Sequence, residues 1–280
     1  MRGAISYSLF GYERERNADC FDFNSYLRGL MINIRMNRLL FPGWDIILQT
    51  DTSTYEGWKS LLDRLPIKLE VHQDKVPLTL AMLWRLRPAF NQNYTHILCR
   101  DLDSPATYRE VQAVQYWINR DKAAHAITDS VSHDVPMLGG MIGFRPQYFM
   151  DKVGARTWGD LIRKESGYDW SRKGNDQAFL THIVYPCFAK KGVDSITQHY
   201  CLGMPNSFLS DYHSKIQDIE VNIPIEYKES NDVCGHIGSA GYYNGQMSRF
   251  INKNADKFLD LIEIEKDYSD LFSWVKNGCY

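Results

Sequence analysis

Residues 95–110 read THILCRDLDSPATYRE, and the reading of this stretch decides the fold. His96-Ile97-Leu98-Cys99 is a short apolar run of the kind a buried strand makes. It passes into Arg100-Asp101-Leu102-Asp103. Pro105 then breaks the strand, and a helix follows whose first turn carries Arg109 and Glu110. Carboxylates at i and i+2 of an extended segment project to the same side. At the carboxyl end of a central strand they stand where open α/β sheets bind ligands. Two neighbouring carboxylates repel each other unless a cation lies between them, and Mn²⁺ or Mg²⁺ bridging diphosphate oxygens is such a cation. Asp101 and Asp103 are therefore candidate metal ligands. The alternative is a surface turn, where Asp-x-Asp is common.

Upstream, residues 4–10 (AISYSLF) predict a first strand, closed by Gly11-Tyr12 and followed by a polar loop over 13–22. Loops in that place commonly hold a nucleotide. Helical spacing runs over 23–40, a second buried strand over 44–50 ends at Asp51, and a helix covers 52–65. Residues 67–72 alternate as a half-buried strand does. Pro77 opens a helix over 78–90 that Pro88 is expected to end. This helix is apolar on most sides yet carries Arg85 and Arg87. A buried arginine requires an anionic partner: a ligand phosphate, the Asp101/Asp103 pair, or another internal carboxylate.

Downstream, residues 108–119 form an amphipathic helix and 125–129 a short strand. Short strands alternating with helices predict a mainly parallel sheet. Gly139, Gly140 and Gly143 fall within five residues, a density that suits neither a helix nor an ordinary strand. A Gly-Gly pair lets a backbone approach a ligand closely, or marks a bulge in the core. Asp176-Gln177 stand at the start of an apolar helix over 178–184, where Asp176 can act as a cap. A second glycine-rich loop, over 231–241, surrounds His236 and Gly238.

The totals exclude several classes. The net charge of −2 and pI near 6.4 argue against general nucleic-acid binding. No stretch approaches the roughly 18 apolar residues of a transmembrane helix, and the N-terminal apolar segment is too short for a signal peptide. Six cysteines without C-x-x-C spacing read as free thiols in a reducing compartment, so a cytoplasmic location is expected. Residues 1–245 are expected to form one domain and 246–280 a C-terminal helical extension packed on it.

The order of these features resembles the GT-A nucleotide-sugar glycosyltransferases. The pattern Leu-Trp-Arg-x-x-Pro, Arg-Asp-x-Asp-Ser, Gly-Gly-Met-x-Gly of bacterial and viral members appears here at residues 83–88, 100–104 and 139–143. The resemblance spans roughly residues 3–245. It implies a three-layer α/β/α sandwich with a mainly parallel sheet. It also implies transfer of a sugar from a nucleotide-diphosphate donor, a UDP-sugar above others, to a hydroxyl acceptor such as a glycan, with Mn²⁺ or Mg²⁺ as cofactor. Asp101 and Asp103 would hold the metal. Tyr7, Ser8 and Phe10 would hold the base and Asp51 the ribose, while Arg85, Arg100, Gly139, Gly140 and Gly238 would line the donor. In the related galactosyltransferase and glycogenin family, a late His-x-x-Gly supplies a third metal ligand. His236-Ile237-Gly238 departs from it by one residue and lacks the following Lys. Asp176 is the first candidate for the base of an inverting reaction and Asp134 the second; in a retaining reaction Asp176 would contact the donor sugar. A metal-dependent nucleotidyltransferase and a non-catalytic sugar- or nucleotide-binding module of the same fold are the alternatives.

Overall fold

The computed structural model describes residues 2–12, 23–73, 76–104, 106, 108–129, 135–164, 167–190 and 193–200. The strands are β1 Gly3–Leu9, β2 Asp45–Asp51, β3 Lys68–His72, β4 His96–Arg100, β5 Ala124–Thr128, β6 Met141–Phe144, the two-residue β7 Ala189–Lys190 and β8 Val193–Asp194, and β9 Ile196–Tyr200. Seven of them form one sheet in the order β3-β2-β1-β4-β6-β5-β9. All neighbours run parallel except β6, which is antiparallel to both β4 and β5. The expected α/β layout with a mainly parallel sheet is present, with one strand reversed. An antiparallel neighbour needs no crossover helix, so β6 can pair between β4 and β5 in this direction.

The helices are α1 Phe23–Leu40, α2 Thr52–Leu62, α3 Leu78–Met82, α4 Tyr108–Arg120, α5 Pro146–Val153, α6 Trp158–Arg163 and α7 Asn175–Phe179. Strand alternation divides the core into two layers. Ile5, Tyr7, Ile46, Leu48 and Leu98 face α1, α2 and α4. Ala4, Ile47, Ile97, Cys99, Ile142 and Phe144 face the other side, against the 3-10 helix Leu83–Phe90 and helices α5 to α7. Helices cover both faces, as a mainly parallel sheet requires.

Three local expectations change. Residues 78–90 are α-helical only to Met82; from Leu83 the chain winds as a 3-10 helix, which contains Pro88 rather than ending before it. The helix expected over 178–184 begins earlier, at Asn175, and passes into a π-helical turn over Leu180–Val184. Gly143 sits inside an ordinary strand. A Cβ there would lie 2.6 Å from the His125 ring and 2.9 Å from Leu98, so glycine serves core packing.

His96 and His125 lie buried against Trp117, and His199 is buried beside His125. The His125 ring stacks on Trp117 at 4.5 Å, and His96 meets the same indole edge-on at 4.9 Å. Burial pushes His96 and His199 down to about 4 and holds His125 well below its ordinary value, so all three are neutral at pH 7. Cys99 and Cys187 are not in a disulfide. Among the described residues, no helix is long and apolar enough to cross a membrane.

Candidate active site

β4 lies between β1 and β6, in the middle of the sheet. Arg100, its last residue, is buried on the α4 side. Its Nε donates to Glu110, and its Nη1 donates to the carbonyls of Cys99 at 2.8 Å and Ile142 at 2.7 Å. This corrects the expectation that Arg100 meets the donor: the guanidinium is neutralised inside the core. Asp101, the next residue, forms an ion pair with Nη1 of Arg85 from the 3-10 helix. Of the partners the sequence left open for Arg85, the chain uses Asp101. The Arg85 side chain is 4% exposed and that of Asp101 42%, so only the carboxylate end of the pair opens to solvent. Burial opposes the Arg85 charge, but Asp101 and Asp176 outweigh it and raise its pKa.

Asp103 is not on an extended segment. The strand ends at Arg100, and Leu102-Asp103 form a turn. Helix α1 clamps that turn. The Asn33 Nδ2 donates to the Leu102 carbonyl at 3.0 Å, and its Oδ1 accepts from the Ala106 N–H at 3.2 Å. One turn earlier, Gly29 leaves room for the Leu102 carbonyl, where a Cβ would collide. The sequence reading missed both residues. Their signal was a Gly and an Asn four apart inside an apolar helix face.

Burial, and then the neighbouring Asp101 charge, push the Asp103 carboxyl up to about 7. Two neighbouring carboxylates offer hard oxygen donors of the kind Mg²⁺ or Mn²⁺ takes. Among the described residues, no group of three His, Cys, Asp or Glu could hold a metal ion. The protein's described share would thus be two carboxylates, with diphosphate oxygens and water completing the shell in the usual manner of Mg²⁺.

Gly139 and Gly140 face this pair. A Cβ on Gly140 would collide with Asp101 Oδ2, and one on Gly139 would lie 2.8 Å from an Arg85 nitrogen. The close approach expected here is made by the chain's own ion pair. The Gly139 N–H donates to Gln177 Oε1 at 3.2 Å, which ties α7 to the same point. Asp176 is buried in the first turn of α7. The N-cap is Gly174, at φ 88°, so Asp176 is not the cap. Burial raises the Asp176 carboxyl and Arg85 opposes the rise. Gln177 Nε2 donates to Asp176 Oδ2 at 3.4 Å. One guanidinium therefore faces Asp101 and Asp176, with Asp103 beside Asp101.

The end of β1 departs further from expectation. Tyr7 is fully buried in the α1 layer, where its hydroxyl accepts from Asn37, and burial raises its pKa. Its ring is core, because alternation turns it away from Ser8. Phe10 packs edge-on against Trp84 at 5.8 Å, and His72 lies 4.7 Å from the same indole. His72 was missed; burial, and then Arg87, push it down to about 4. Asp51 caps α2 by accepting from the Thr54 N–H at 3.0 Å, and it accepts from the Gly11 N–H at 2.9 Å. Both its oxygens thus hold backbone, a structural duty in place of the expected ribose contact. Asp134, His236 and Gly238 lie outside the described residues, as does the expected extension over 246–280.

No protein-family model matches the chain, and no curated protein does. Solved structures overlap it loosely. The 4-diphosphocytidyl-2C-methyl-D-erythritolsynthase of Anaerococcus prevotii gives a TM-score of 0.43 at 9% identity, over 76% of this chain and 96% of its own. S. aureus TarS 1–349 in complex with UDP-GlcNAc gives 0.40 at 8% identity, over 98% and 79%. Mouse xyloside xylosyltransferase 1 gives 0.38 at 11% identity, over 82% and 99%. With every score below 0.5, the reading of the site rests on this chain's own residues.

Proposed function

We propose that the chain is a metal-assisted glycosyltransferase. It would move a sugar from a nucleotide-diphosphate sugar, a UDP-sugar above others, to a hydroxyl acceptor, a glycan foremost. The observation that supports this best is the convergence of Asp101, Asp103, Arg85 and Asp176 at the end of the central strand β4. Asp101 and Asp103 would hold the Mn²⁺ or Mg²⁺, whose charge would stabilise the leaving diphosphate. Arg85 adds a second, fixed positive charge in a buried setting, where it counts for more than in water. Phe10 and His72 offer ring surface to the base at the end of β1.

Asp176 is the candidate base. In an inverting reaction it takes the proton of the acceptor hydroxyl as that oxygen bonds to the anomeric carbon and the bond to the diphosphate breaks. In a retaining reaction it contacts the donor sugar instead. Cys99 and Cys187, neither in a disulfide, accord with a reducing, cytoplasmic setting.

Thermal stability against UDP-, GDP-, CDP- and dTDP-sugars, with and without Mn²⁺, tests the class. A shift that appears only when metal and one nucleotide-sugar are both present is expected from mass action. Product analysis then separates the chemistries, since glycosyl transfer frees a nucleoside diphosphate and nucleotidyl transfer frees pyrophosphate. If no nucleotide-sugar moves the melting temperature in either condition, the donor-site reading fails and a binding module with another ligand takes its place.

A further inference from the structure

Resting on the reading above, we propose that Arg85 gates the cation site, so that metal and diphosphate can enter only together. Arg85 is 3% exposed, and its guanidinium has Asp101 as its ion-pair partner. Its Nε is buried with no hydrogen-bond partner. On the Gly139-Gly140 side the pair is packed against backbone, because Asp101 and Arg85 already fill the space a Cβ would take. A divalent cation arriving alone at Asp101 would have to displace the guanidinium from its carboxylate. A buried arginine cannot give up its anion without a replacement.

The donor's diphosphate is that replacement. The cation takes the Asp101 carboxylate while the phosphate oxygens take the Arg85 fork, a geometry suited to bidentate phosphate contact. Each charge exchanges one partner for another and none is left bare. The open end of the pair is the one that fits this order, since Asp101 reaches solvent and Arg85 does not. Cation and diphosphate therefore bind with positive coupling, and each raises the other's affinity by the same factor.

The test is direct Mn²⁺ binding, read as loss of the free-ion paramagnetic resonance signal. The full chain is used as wild type, Arg85→Gln and Arg85→Lys, each alone and with UDP, GDP, CDP and dTDP in turn. Wild type alone should bind Mn²⁺ weakly, and at least about tenfold more tightly with one of the nucleotides. Arg85→Gln should bind Mn²⁺ alone about tenfold more tightly than wild type, with a smaller gain from nucleotide. Arg85→Lys keeps the charge but gives up the forked contact and should fall between the two. A purely structural Arg85 would instead lower the melting temperature and leave Mn²⁺ affinity in the absence of nucleotide unchanged. Equal Mn²⁺ affinity in folded Arg85→Gln and wild type, with nucleotide still promoting binding in wild type, overturns the gate and leaves the functional reading intact. If Arg85→Gln does not fold, equal affinity in Arg85→Lys and wild type overturns it. If wild type binds Mn²⁺ under no condition, the gate and the metal-assisted reading both fall.

Discussion

Two buried arginines meet carboxylates near the end of β4, and they differ in one respect. In the Arg100–Glu110 pair both side chains are buried, at 6% and 4% exposure. In the Arg85–Asp101 pair one end is open. The closed pair also binds two main-chain carbonyls and ties β4 to β6 and α4. The open pair joins the 3-10 helix to the turn after β4. Two successive residues of one strand end, Arg100 and Asp101, thus serve opposite purposes because alternation sends them to opposite faces. A pair closed off from solvent can only hold structure, whereas a pair with one end in water can exchange its partner.

The most complete loss of function that could break this contrast is expected at the open side. Asp103→Ala should abolish metal-dependent stabilisation by nucleotide-sugar, a shift of about 2.7 kcal/mol at a hundred times Kd in wild type. Retention of that shift, followed by thermal melting, would remove Asp103 from the metal site. Asp176→Asn comes next. Turnover should fall roughly 10²- to 10⁴-fold with donor affinity nearly unchanged if the carboxylate is the base. Equal losses in kcat and in donor affinity would make it a sugar contact.

The closed pair makes the third prediction. Glu110→Ala leaves the Arg100 charge buried without its carboxylate and should cost about 3–5 kcal/mol in denaturant unfolding. Arg85→Gln should cost clearly less, because the freed Asp101 can turn to water. If the two costs were equal, the distinction between closed and open pairs would collapse.

The last prediction concerns acid, and it sharpens the contrast by testing a buried polar group with no hydrogen-bond partner among the described residues. His199 is fully buried, with a pKa of about 4 when folded against an ordinary value near 6.5. Above pH 6.5 neither state is protonated and stability is at its full value. Between 6.5 and 4 the unfolded chain takes up a proton that the folded chain refuses, so stability falls as pH falls and levels off below 4. His199 alone accounts for a loss of about 3 kcal/mol. A urea series at pH 7 and pH 4.5 measures this, and His199→Phe should flatten the slope.

Much of the architecture was legible in the letters. The apolar runs at 4–10, 44–50 and 96–99 gave strands in place, because a strand buried on both faces needs an unbroken apolar stretch. The Asp-x-Asp, the Gly-Gly and the Asp-Gln were picked out separately along the chain, and folding brings them together around Arg85. The reading failed where a residue's duty depended on a partner distant in sequence. Asp51 became a cap that also holds the Gly11 backbone, and Tyr7 became core. Asn33, 69 residues from the Leu102 carbonyl it holds, carried almost no local signal.

The sequence by itself determined the class of fold, the order of most elements and the residue types able to bind a metal diphosphate, because hydrophobic period and breaker residues are local properties. Only the tertiary structure decided that β6 runs antiparallel, that Arg85 takes Asp101 while Arg100 takes Glu110, and that the glycines admit side chains of this same chain. Strand direction, charge pairing and close approach depend on which residues meet across the sheet. Those meetings follow from the packing of the two core layers, and a linear pattern does not encode them.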